Sequence, residues 1–101
     1  MRRGTTPTLT FTTPYAAELV ESGYISLSQR GTDVLDIPLS NQAVTIADNS
    51  ISVTLTQEQT LAFTTSDVLK IQIRAILASG KAVASNIVTD SVCPILKDGE
   101  I

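Results

Sequence analysis

The sequence predicts an all-β fold: one antiparallel, immunoglobulin-like β-sandwich of about six or seven short strands with a single short connecting helix. Three observations predict it. Short runs alternate apolar and polar side chains with the two-residue period of a half-buried strand. Gly, Pro, Asn and Asp clusters punctuate those runs at intervals of roughly 8–15 residues, a spacing of strands joined by turns. Thr and Ser supply 24 of the 101 residues, and Ile, Val, Leu and Ala dominate the apolar fraction. β-Branched side chains suit a pleated, half-buried surface. The length fits one domain, 1–101, burying about 60–65% of its unfolded surface. A parallel α/β chain would need helices of about 10–15 residues between strands, and no such segment occurs. The Cys…Trp…Cys core of true immunoglobulin domains is absent, so the likeness is one of architecture.

Taken in order, residues 8–12 (TLTFT) form the first strand, with Leu9 and Phe11 on one face and Thr8, Thr10 and Thr12 on the other. Pro7 lacks an N–H and so belongs at a strand start or an open edge. Residues 13–22 are one helical turn or an irregular connection, closed by Ser22-Gly23. In 24–29, Ile25, Leu27 and Gln29 share a face; a turn follows at Arg30-Gly31-Thr32-Asp33. In 34–39, Leu35, Ile37 and Leu39 point inward, and Pro38 confines the run's end to an edge. Strands at 43–46 and 51–56 make a hairpin across Ala47-Asp48-Asn49-Ser50, with Ile51, Val53 and Leu55 inward. Thr56-Gln57-Glu58-Gln59 matches a capping box and predicts a short helix, with Leu61 and Phe63 plugging the core. The longest strand, 68–77, carries Leu69, Ile71, Ile73, Ala75 and Leu77 on one face. Ser79-Gly80 tips a hairpin to a single return strand, 82–92, which ends at Cys93-Pro94. Residues 95–101 are a last short strand or a tail, and residues 1–6 an arm.

Charge and composition exclude several functions. The net charge is −3 and the isoelectric point about 4.6. Arg2, Arg3, Arg30 and Arg74 are too scattered for a basic face, so nucleic acid is not an expected ligand. Arg2-Arg3 alone is too short a polybasic anchor for a membrane, and no run approaches the ~20 apolar residues of a span. Cys93 is the only cysteine, which precludes an internal disulfide and suits a reducing compartment. Thr and Pro interrupt the N-terminus where a signal peptide would be apolar. The expected location is the cytoplasm of the producing cell, or a particle assembled there.

No residue announces a chemistry. The chain has no histidine, which removes Ser-His and Cys-His nucleophile pairs and imidazole metal sites. Cys93 has no basic neighbour in sequence and reads as a small buried apolar residue. Asp33, Asp36 and Asp48 sit in or beside turns without the dense ligand run of a calcium loop. Glu18 and Glu21 read as a solvated pair. The five glycines stand apart at turns and ends, not clustered to cradle phosphate. No catalytic group, metal or cofactor is expected, and the chain is not expected to be an enzyme.

The segments RRGTTPTLTF, TLTQEQTLAF and KIQIRAIL…ASNI resemble a group of small proteins from phage and prophage structural gene clusters. The matching residues are Arg2 to Phe11, Thr56 to Phe63, Lys70 to Arg74 and Ile95 to Ile101. The layout is also similar to the N-terminal domain of phage baseplate upper proteins, a β-rich module that docks a receptor-binding arm onto the tail. The resemblance implies a non-enzymatic structural or assembly module of a phage or prophage particle, a tail or baseplate accessory or adaptor or a small head accessory protein, with other phage structural proteins or a second copy of itself as partners. The alternative is a small carbohydrate- or ligand-binding adhesion sandwich, against which the lack of Trp and the two tyrosines stand.

Candidate contact residues follow from this. Arg2, Arg3, Thr5 and Thr6 lie on an arm that either leads into an edge strand of its own sandwich or adds to a neighbour's sheet. Tyr15 follows a proline and either covers one end of the core or makes a contact. Val68, Ile76, Ala84 and Val88 are apolar positions expected on solvated faces.

Overall fold

A computed structural model describes all residues, Met1–Ile101. The elements are β1 (Thr8–Thr12), a 3-10 turn (Ala17–Leu19), β2 (Val20–Gln29), β3 (Thr32–Pro38), β4 (Val44–Ala47), β5 (Ser50–Thr54), α1 (Gln57–Leu61), β6 (Leu69–Leu77), β7 (Ala82–Ala84) and β8 (Val88–Asp90). They build an all-β fold of two antiparallel sheets. One is three-stranded, in the order β1-β5-β4; the other runs β3-β2-β6-β7, with β8 also paired to β6. A single apolar core lies between them. It takes Ile51, Val53 and Leu55 from the smaller sheet and Ile25, Leu27, Leu69, Ile71 and Ile73 from the larger. No helix is long and apolar enough to cross a membrane.

The alternation in sequence becomes the two faces of each strand. Ile51 and Val53 of β5 and the neighbouring Leu55 are buried, as are Leu69, Ile71, Ile73 and Ala75 of β6. Proline marks the edges. Pro7 stands at the start of edge strand β1, and Pro38 ends edge strand β3. The β2–β3 hairpin closes over Arg30 and Gly31, both with left-handed backbone (φ 54° and 73°), as a two-residue hairpin turn of the primed type requires. The α1 cap forms in full: Gln59 N–H donates to Thr56 Oγ1 (3.1 Å), and Thr56 N–H donates to Gln59 Oε1 (2.8 Å).

Four expectations change. β2 begins at Val20, four residues early, so Gly23 lies inside a strand and not at a turn. Gly23 pairs with Ala75, and a Cβ there would run into the Arg74 carbonyl and come within 2.9 Å of Leu39 Cδ1. The glycine thus marks a close approach of β2 to β6. The return strand is two short pieces, β7 and β8: Ser85 N–H still donates to Ile73 O (2.9 Å), but Ile73 N–H donates to Ser85 Oγ (3.0 Å), so the hydroxyl stands in for the Ser85 carbonyl and the ladder stops there. In the helix Phe63 fills the core, but Thr60 is fully buried in place of half-buried Leu61. Thr60 can go inside because its hydroxyl is satisfied there. Cys93 is half-buried, since its backbone pairs with the chain start at the surface. Of the two readings of residues 95–101, strand or tail, the structure takes the tail.

The molecule is a thin body, 47 × 26 × 17 Å, with 17 of 101 residues buried.

Candidate interaction surface

The arm folds back on its own chain. Arg2 makes a parallel bridge to Cys93, Arg3 N–H donates to Cys93 O (3.2 Å), and Cys93 N–H donates to Met1 O (2.7 Å). The Arg3 guanidinium ties three segments together. Nη2 donates to Leu61 O (2.8 Å), Nε to Phe63 O (3.3 Å) and Nη1 to Asp98 Oδ1 (2.8 Å). It thereby satisfies carbonyls at the end of α1, where a cation is electrostatically favoured. The same guanidinium, followed by the Gly99 N–H, holds the Asp98 carboxyl below the usual carboxylate range. Thr60 completes the attachment: its Oγ1 accepts from Gly4 N–H (2.9 Å) and donates to Thr5 O (2.9 Å). Gly4 has φ 77°, and a Cβ on it would lie 2.7 Å from Ile95 Cδ1.

The candidate contact residues do not converge. Arg2 and Arg3 belong to this terminal clip, and Arg2 Nη1 donates to Pro94 O (2.6 Å). Thr5 Oγ1 donates to Arg2 O (2.6 Å), and Thr6 is exposed beside it. Tyr15 is half-buried, its carbonyl accepting from buried Thr13 Oγ1 (2.6 Å). Val68, Val88 and Ile76 are 54%, 50% and 39% exposed. Ile76 pairs with Ala82 on the outer face of the larger sheet, where Ala84 also lies opposite Arg74. Val88 is registered opposite buried Ile71, on the inner side of the sheet at its open edge. On the outer face, Tyr24, Ser26, Asp36, Arg74 and Ile76 line a shallow saddle of about 570 Å³, in which Ser26 Oγ donates to Asp36 Oδ1 (2.6 Å).

The sequence marked β1 as an edge strand, and the structure shows which of its backbone groups are free. Leu55 N–H donates to Pro7 O (2.9 Å), and Thr13 N–H donates to Asn49 O (2.8 Å). With the register Thr8↔Thr54 to Thr12↔Ser50, these bonds set the alternation of the antiparallel ladder. Leu9 and Phe11 turn their N–H and C=O groups toward β5; Thr8, Thr10 and Thr12 turn theirs outward. β1 has no other strand partner. Beside it, between β1 and β7, opens a cleft of about 580 Å³ lined by Phe11, Tyr15, Ile73, Leu77 and Val83, with Lys81 at its side.

The other edges are guarded. β3 carries Asp33, Asp36 and Pro38, and β7 and β8 are three residues each. The end of β4 meets the 3-10 turn, where Ala17 N–H donates to Asp48 O (2.7 Å). β1 has five residues, no charge and no proline. Charge and internal proline are usual protections against edge-to-edge pairing, and β1 has neither; Pro7 stands just before it, its carbonyl already bonded to Leu55 N–H. The signal was present in TLTFT, but only the register shows which threonines hold the free backbone groups.

Comparison with protein-family models, curated proteins and solved structures returns no match.

Proposed function

We propose that the chain is a non-enzymatic structural or assembly module of a phage or prophage particle, a tail or baseplate accessory or adaptor that works by protein–protein contact. The observation that carries the reading is the unprotected β1 edge beside an apolar cleft, since such an edge is built to accept a strand from another chain. Two features support it further. Three of the segments with phage resemblance meet in space: Arg3 reaches Leu61, Phe63 and Asp98, and Gly4 lies against Ile95. The strand orders β3-β2-β6-β7/β8 and β1-β5-β4 match C′-C-F-G and B-E-D of an immunoglobulin-type sandwich, in keeping with the finer architecture expected from sequence.

The test is mass spectrometry of particles purified from the producing bacterium. The reading expects the chain in the particles at stoichiometric copy number, retained through a high-salt wash. Its confinement to the cleared lysate contradicts the reading. A second reading, a carbohydrate-binding sandwich, draws on the saddle, where exposed Tyr24 stands beside Arg74 and Asp36. Glycan-array binding lost in Tyr24→Ala and Arg74→Ala would favour it.

A further inference from the structure

We infer that the occupant of the β1 edge is β1 of a second copy, paired antiparallel about a twofold axis through Thr10. The inference rests on β1 as the contact edge named above. It adds the partner and the register.

The argument is self-complementarity. A twofold interface must place the same strand on both sides, so the strand has to match its own reverse. TLTFT does, in chemical class. The outward backbone groups are those of Thr8, Thr10 and Thr12, so these residues form the hydrogen-bonded pairs: Thr10 with Thr10 of the second copy, and Thr8 with its Thr12. This makes about six N–H···O=C bonds, two per pair. Between them, Leu9 stands opposite Phe11 of the second copy, twice. These are non-hydrogen-bonded positions, where side chains approach more closely. Leu9 and Phe11 are only half-buried in the single chain and pack at the margin of its core. Pairing extends that core across the axis and joins two three-stranded sheets into one, β4-β5-β1-β1-β5-β4. On the opposite face threonine meets threonine, a favourable cross-strand pair already made within the chain by Thr8 Oγ1 and Thr54 Oγ1 (2.8 Å). No charge opposes its like across the axis, because β1 carries none.

Sedimentation equilibrium of the full chain across a wide concentration range tests this, with Thr10→Pro and Thr10→Lys alongside. The Thr10 N–H is not used within the chain, so Thr10→Pro removes an intermolecular donor and spares the β1–β5 ladder. Thr10→Lys keeps the donor and places like charges across the axis. The expected result is a wild-type dimer whose dissociation constant rises at least about tenfold in both variants, with far-ultraviolet circular dichroism unchanged. A register test needs no loss of function: Thr10→Cys, with Cys93→Ser, should be bridged to a covalent dimer by a short bifunctional thiol reagent, because hydrogen-bonded pairs stand about 5.5 Å apart at Cα. Thr12→Cys, facing Thr8 of the other copy, should cross-link far less. A monomeric wild type overturns the inference, as does a dimer that both Thr10 variants leave unchanged or a cross-link no better at position 10 than at 12. Particle incorporation without dimerisation would sink this inference and leave the assembly role standing; dimerisation without incorporation would do the reverse.

Discussion

Thr60 holds the arm by one hydroxyl. It is fully buried, and both Gly4 N–H and Thr5 O depend on it. Thr60→Val keeps the shape and strands both groups, so urea denaturation should show a loss of about 1–3 kcal/mol. The amides of residues 3–5 should exchange faster in the same variant. A threonine beside Leu61 in a capped turn gives no sign of burial, because its partner lies more than fifty residues away in sequence. Gln29 was legible: it shares the strand face of Ile25 and Leu27, and its buried amide bonds Thr64 and Asp67 backbone. Asp98 carries a pH dependence. Its carboxyl is lowered in the folded chain by Arg3, so its stabilising contribution is fully present above the unfolded value, about 3.9. That contribution is lost as pH falls through the lower, folded value. The melting difference between wild type and Asp98→Asn should therefore be a small deficit in the variant at neutral pH that closes in strong acid. An equal deficit at both extremes would contradict this. Asp98 is an exposed group, so the effect is modest.

At the scale of elements, local chemistry was legible where neighbours in sequence supply it. The capping box at Thr56 and Gln59 and the turn at Arg30-Gly31 need only their own residues. Thr56→Ala should cost about 1 kcal/mol, read as a lowered denaturation midpoint with unchanged slope. The elements that departed from expectation depend on partners far along the chain. β2 starts early because β6 lies beside it, close enough to exclude a side chain at Gly23. The return strand breaks where the Ser85 hydroxyl, and not its carbonyl, takes the Ile73 N–H. Alternation alone contains neither fact. The turn between α1 and β6 is braced by an ion pair of Arg30 Nε with Asp67 Oδ2 (2.6 Å), whose hydrogen bond raises the Arg30 pKa above its already high ordinary value.

For the whole molecule, the sequence predicted two-sided strands and a single core, and these two sheets have them. It left open whether the arm reaches a neighbour or lies on its own chain, since free N–H groups in an extended segment look alike in both cases. The structure spends the arm internally, on Cys93, Thr60 and the end of α1, and leaves β1 as the uncovered edge. The central claim is that this edge is open in one chain and closed by assembly. The most direct measurement is residue-resolved amide exchange by NMR on the full chain, dilute and concentrated. In the dilute state Leu9 and Phe11 should be protected while Thr8, Thr10 and Thr12 exchange freely; at high concentration those three should gain protection together. Protection of Thr8, Thr10 and Thr12 in the dilute monomer, or free exchange of all three in the assembled state, would contradict the account.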